Sequence, residues 1–158
     1  MKKYSIEIKW GLIFTVFTLL WMVLERALGW HDTHIDKHAT LTNLFAIPAI
    51  VLVVFALLDK RKNYYDGQMT WKQGFLTGLG MTVVIVVLTP LSMWITNSMI
   101  TPHYFENIIA HSIETGKLTQ LQAEKYFSMG SYILQSMIGG AVMGIVTSAV
   151  VAFFVKKN

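Results

Sequence analysis

Trp10-Gly11-Leu12-Ile13-Phe14-Thr15-Val16-Phe17-Thr18-Leu19-Leu20-Trp21-Met22-Val23-Leu24-Glu25-Arg26-Ala27-Leu28-Gly29-Trp30 carries no charge but Glu25 and Arg26. A run of roughly 20 apolar residues is long enough, as a helix, to cross the hydrocarbon core of a bilayer. Trp10 and Trp30 bracket it as interfacial anchors, and Lys2, Lys3 and Lys9 flank its start. Met1-Lys2-Lys3-Tyr4 resembles the charged front of a secretion signal. The run lacks a small-x-small cleavage site and carries Glu25-Arg26 near its end, so it is expected to be a retained helix.

Working outward, the same pattern recurs. With the first run at 10–30, further spans are expected at 40–58, 71–99 and 131–155 of one 158-residue domain. Thr40 or Thr42 is expected to cap the second span, and Pro90 falls inside the third. Between spans three and four, about 102–129 is too polar to cross and reads as an amphipathic helical hairpin. Thr101 is its expected cap, Gly116 its break, and Thr119-Gln120-Leu121-Gln122 a capping box. In the last span Ser136, Gly140, Gly144 and Ser148 repeat every four residues. That narrow stripe suits close helix contact, with helix one or three of the same chain or with a second copy. The fold class is therefore all-α, a polytopic membrane protein of four transmembrane helices.

Charge placement orients it. Lys2, Lys3, Lys9, Lys60, Arg61, Lys62, Lys72, Lys156 and Lys157 lie on one side of the spans. Arg26, Lys37, Lys117 and Lys125 lie on the other, with Glu25, Asp32, Asp36, Glu106, Glu114 and Glu124. By the positive-inside rule both termini are cytoplasmic, and the polar connection and the hairpin face outward. Charged residues make up 14% of the chain, against about a quarter in soluble proteins, so a lipid bilayer rather than nucleic acid accounts for the net charge of +4. The chain has no cysteine, which excludes disulfides and thiolate metal sites.

Ionisable groups inside an apolar run are costly and are commonly kept for function. Glu25 is such a group, and His31, Asp32, His34, Asp36 and His38 follow it closely. The candidate polar site is Glu25, His31, Asp32 and His38. On a continuous helix His31, His34 and His38 would share a face, a set suited to zinc or another divalent metal. Gly29 is placed to interrupt that helix, and a wet connection with local turn bonds accounts for the same residues without a ligand.

Leu28-Gly29-Trp30-His31-Asp32 through His38, then Thr42-Asn43-Leu44-Phe45-Ala46-Ile47-Pro48-Ala49-Ile50, resembles the domain-of-unknown-function 4199 family of small bacterial membrane proteins. Gly67-Gln68-Met69-Thr70-Trp71-Lys72-Gln73-Gly74-Phe75, Ile100-Thr101-Pro102-His103-Tyr104-Phe105 and the glycine-bearing last helix carry the same resemblance. It implies a four-helix inner-membrane protein of a Bacteroidetes-type bacterium, with no catalytic or binding residues attached.

Three functional readings follow. The first is a non-enzymatic inner-membrane protein handling ions or small solutes, or an accessory subunit of an envelope complex; a homodimer would help four spans enclose a path. The second is a metal-dependent membrane hydrolase with His31, His34 and His38 as ligands and Asp32 or Glu25 as base. The third is an interaction module that docks partners through the hairpin.

Overall fold

The computed structural model describes residues 3–157. Met1 and Lys2, used above for the signal-like start and the charge count, lie outside them. Among the described residues the chain is helical with no strand. Its elements are α1 (Ser5–Ala27), α2 (Ile35–Leu41), a 3-10 turn (Thr42–Phe45), α3 (Ala46–Asn63) and α4 (Trp71–Ile95). A π-helical turn (Thr96–Ile100), α5 (Tyr104–Glu114), α6 (Gln120–Tyr126) and α7 (Met129–Val155) complete it. Four helical stretches are long and apolar enough to cross a membrane: Ser5–Ala27, Ile35–Asn63, Trp71–Ile100 and Met129–Val155.

Several boundaries differ from those expected. Helix α1 begins at Ser5 and stops at Ala27, short of Trp30, because Gly29 adopts a left-handed φ of 73°. Neither Thr40 nor Thr42 is an N-cap. Helicity starts earlier, at Ile35, so Thr40 lies within α2 and Thr42 opens the 3-10 turn. Thr101 is not the cap of α5 either: His103 holds that position, and the Thr101 carbonyl accepts the Tyr104 N–H at 3.1 Å. The capping box at Thr119 and Gln122 is present, and Gly116, at φ 67°, follows the end of α5.

The chain divides into two compact units. The first comprises the residues up to Val16, Ala46–Leu88 and the residues from Met137 onward. Its core is Val53, Ala56, Leu57, Met69, Met81, Val151, Ala152 and Val155, with Trp10, Phe14 and Phe75 against it. Small residues let α4 and α7 approach here. A Cβ on Gly78 would lie 2.5 Å from the Ser148 Cβ, and one on Gly144 would lie 2.4 Å from Thr82. Gly140 has nothing within 4 Å of such a Cβ, and Ser136 falls in the other unit, so the four-residue stripe is used at Gly144 and Ser148. Lys60 and Glu7 form a buried ion pair at 2.8 Å, with the Lys60 ammonium 3.9 Å from the Tyr64 ring centre. Two backbone hydrogen bonds, of 2.8 and 2.9 Å, join Met69 and Lys157.

The second unit comprises Phe17–Phe45 and Thr89–Ser136. Here the later half of α1 meets the 3-10 turn through Phe17 and Phe45, stacked at 6.2 Å, and through Trp21 and Phe45 at 5.6 Å. Phe105 of α5 packs edge-on against Tyr132 of α7 at 5.1 Å. This unit holds the polar stretch after α1.

Candidate functional site

Glu25 sits in the last turn of α1, and that turn ends in a way that returns the chain over it. The Trp30 N–H bonds the Glu25 carbonyl and the Gly29 N–H bonds the Arg26 carbonyl, both at 3.0 Å. With Gly29 in the left-handed region this is a Schellman cap, which satisfies the orphan carbonyls and reverses the chain. A side chain at Gly29 would strain this φ and place a Cβ 2.3 Å from the Thr33 hydroxyl. The reversed segment is pinned by the His34 N–H to the Gly29 carbonyl, at 2.7 Å, and by Asn107 of α5, which donates to the His31 carbonyl at 3.0 Å.

The result is a closed polar cluster. The Glu25 side chain is fully buried. Its Oε2 lies 2.9 Å from His31 Nε2 and 3.4 Å from His38 Nε2, while Oε1 accepts from Trp21 Nε1 at 2.6 Å. The rings of His31, His38 and Tyr104 form a near-equilateral triangle, with centroids 5.0, 5.3 and 5.2 Å apart. The Tyr104 hydroxyl is 3.4 Å from His38 Nδ1 and 3.0 Å from the Tyr132 hydroxyl. Burial, then the neighbouring Tyr132, push the Tyr104 phenol well above the ordinary tyrosine range.

Electrostatically the cluster is short of positive charge. Among the described residues the ion-pair partners of Glu25 are His31 and His38, with no lysine or arginine. Arg26, adjacent in sequence, donates instead to the Ile100 carbonyl. His31 Nδ1 is buried without a hydrogen-bond partner. A protonated His31 would bury an unpaired N–H there, so the neutral ring donating from Nε2 to Glu25 fits its surroundings. With His31 neutral, a positive charge facing the carboxylate has to come from His38 or from an added cation.

Of the residues expected from sequence, Glu25, His31 and His38 come together, their ligand atoms within 4.8 Å of one another. Asp32 and His34 do not join them. Asp32 is exposed, its carboxylate taken up by the Thr33 N–H and hydroxyl, which hold its pKa below the usual carboxylate value. His34 is exposed at the start of α2. The i, i+3, i+7 face fails because His31 lies in the turn before α2, so its ring is placed by chain reversal and not by helical periodicity. Trp21, Tyr104 and Tyr132 were not singled out for this site. Tyr104 reads in sequence as part of an apolar helix face, although it follows the polar Thr101-Pro102-His103.

A family model described as protein of unknown function (DUF4199) matches residues 9–157. No curated protein and no solved structure matches the chain.

Proposed function

The chain belongs to the DUF4199 family, a membership that brings no assigned activity, and from its own geometry we propose a bacterial inner-membrane protein that handles a small cation at Glu25. In this proposal the termini are cytoplasmic and the Glu25 cluster lies toward the outer face, an orientation the lysine and arginine distribution supports. The observation that carries the reading is a fully buried carboxylate at the end of a membrane-length helix, with no lysine or arginine among the described residues paired to it. Such a group attracts a cation, and intramembrane carboxylates facing polar partners mark ion pathways. A homodimer or larger membrane complex belongs to the same proposal, because four spans are few to enclose a path.

The test is thermal unfolding of untagged, detergent-purified protein against a series of monovalent and divalent cations, wild type beside Glu25→Gln. A ligand that binds the native state raises its midpoint. At least one cation should stabilise the wild type and not the variant. Stabilisation by none, or equally in both, overturns the proposal.

The hydrolase reading has less behind it, since of its two candidate bases Asp32 faces solvent and Glu25 is taken up by His31 and Trp21, while His34, one of its three ligands, stands outside the cluster. Docking through α5 and α6 has one observation in its favour, the exposure of Leu121 (78%) and Tyr126 (51%) on α6. A co-purifying partner lost on Leu121→Asp would support it.

A further inference from the structure

We infer that the cation is a divalent transition metal of the zinc class, held by Glu25 Oε2, His31 Nε2 and His38 Nε2. This rests on the reading of Glu25 as a cation site and adds the identity of the ion. Three features select the metal. The first is the donor set: two imidazole nitrogens with one carboxylate oxygen suit borderline divalent ions, whereas sodium, magnesium and calcium favour all-oxygen sites. The second is convergence. Both Nε2 atoms approach the same carboxylate oxygen, at 2.9 and 3.4 Å. Ligands held about 2.0–2.1 Å from a tetrahedral zinc lie about 3.3 Å from one another. The partly exposed His38 is the ligand with room to adjust. The third is charge: metal ligation takes both imidazoles in their neutral form, and a divalent ion then more than offsets the single negative charge of the carboxylate.

The surroundings distinguish the two histidines. With a metal on Nε2, the other ring nitrogen carries the proton and needs an acceptor, and such outer partners tune affinity. His38 Nδ1 faces the Tyr104 hydroxyl, which in turn meets Tyr132. His31 Nδ1 has no partner, and Asn107 reaches only the His31 backbone. His38 is therefore the better-supported ligand, and Tyr104 is a positioning residue acting through it. Three protein ligands leave a further position on the metal for water or an exchanging donor, as transfer of an ion requires.

The experiment uses untagged protein in detergent, titrated with Zn²⁺ by calorimetry and with Co²⁺ by visible absorption, which reports coordination independently of activity. Wild type should bind one equivalent of either ion and give the intense visible bands of four-coordinate cobalt. Glu25→Gln, His31→Ala and His38→Ala should each lose them, and His34→Ala should keep them. Tyr104→Phe, which removes only the hydroxyl, should weaken Zn²⁺ binding by roughly 10- to 100-fold. Unchanged binding in Glu25→Gln, or loss in His34→Ala, would overturn the assignment. So would absence of Zn²⁺ and Co²⁺ binding in a wild type that another cation still stabilises through Glu25, an outcome that leaves the broader reading standing. If no cation acts through Glu25, both fall. Size-exclusion profiles identify misfolded variants, and Glu25→Asp, keeping the charge but shortening the reach, supplies a second test with weakened binding expected.

Discussion

Glu25 Oε2 lies 2.9 Å from His31 Nε2 across a helix end, the carboxylate belonging to the last turn of α1 and the imidazole to the turn beyond it. The contact exists because the Schellman cap at Gly29 folds the chain back, and Glu25 is also the acceptor for Trp21. Removing the carboxylate leaves the buried His31 Nε2–H and the half-buried Trp21 Nε1–H without partners. Unsatisfied buried donors cost about 1–3 kcal/mol each. Glu25→Ala should therefore destabilise the protein by several kcal/mol and Glu25→Gln, which keeps an acceptor oxygen, by clearly less. Equal losses in thermal unfolding would show that these hydrogen bonds contribute little.

Gly29 tests the link between backbone and site. Its φ of 73° and the 2.3 Å approach of a Cβ to Thr33 oppose any side chain there. A left-handed conformation costs a non-glycine residue about 1–2 kcal/mol. Gly29→Ala should lower stability by about that much and weaken zinc binding although every ligand remains. Unaltered binding would mean that the reversal is not what positions His31.

The α4–α7 approach makes a reciprocal prediction. Gly78→Ala introduces a Cβ against Ser148, and overpacking of this kind costs about 1–3 kcal/mol. Adding Ser148→Gly should recover part of the loss, a coupling measurable by a double-mutant cycle. Gly140→Ala, with open space around it, should be close to neutral. Loss at Gly140 with none at Gly78 would reverse the assignment of this contact.

Tyr104 gives the protein an alkaline limit. Its folded-state pKa is raised by burial, so the native protein holds the phenolic proton where an unfolded tyrosine, at about pH 10, releases it. The stability this contributes is complete below about pH 10 and is lost as pH rises from there through the folded value. Wild type should lose stability more steeply than Tyr104→Phe above pH 10, and parallel curves would contradict the burial of a neutral phenol.

Much of the fold was legible because hydrophobic length and charge are local properties: the four apolar runs, the capping box at Thr119 and the break at Gly116 can be read without tertiary information. Helix ends were less so. Thr40, Thr42 and Thr101 are good caps by residue type, yet the chain starts those helices elsewhere, because the reversal at Gly29 and the π turn at Thr96–Ile100 decide where each begins. For the site, the richness in histidine and carboxylate after Glu25 was visible. The candidate polar site joined His31 and His38 to Glu25 but also took in the exposed Asp32, and the metal set took in His34, because helical spacing groups His31, His34 and His38 alike and does not show that a turn delivers His31. Trp21 and Tyr104 were hidden by their aromatic character, which in an apolar chain reads as packing or interfacial anchoring.

The most direct measurement of the central claim is the zinc X-ray absorption spectrum of the loaded, untagged protein. Two imidazoles and at least one oxygen in the first coordination sphere, at about 2.0–2.1 Å, are predicted, with the same spectrum from His34→Ala and no stoichiometric zinc left on His38→Ala. Three imidazoles, or a sphere that neither histidine variant changes, would contradict it.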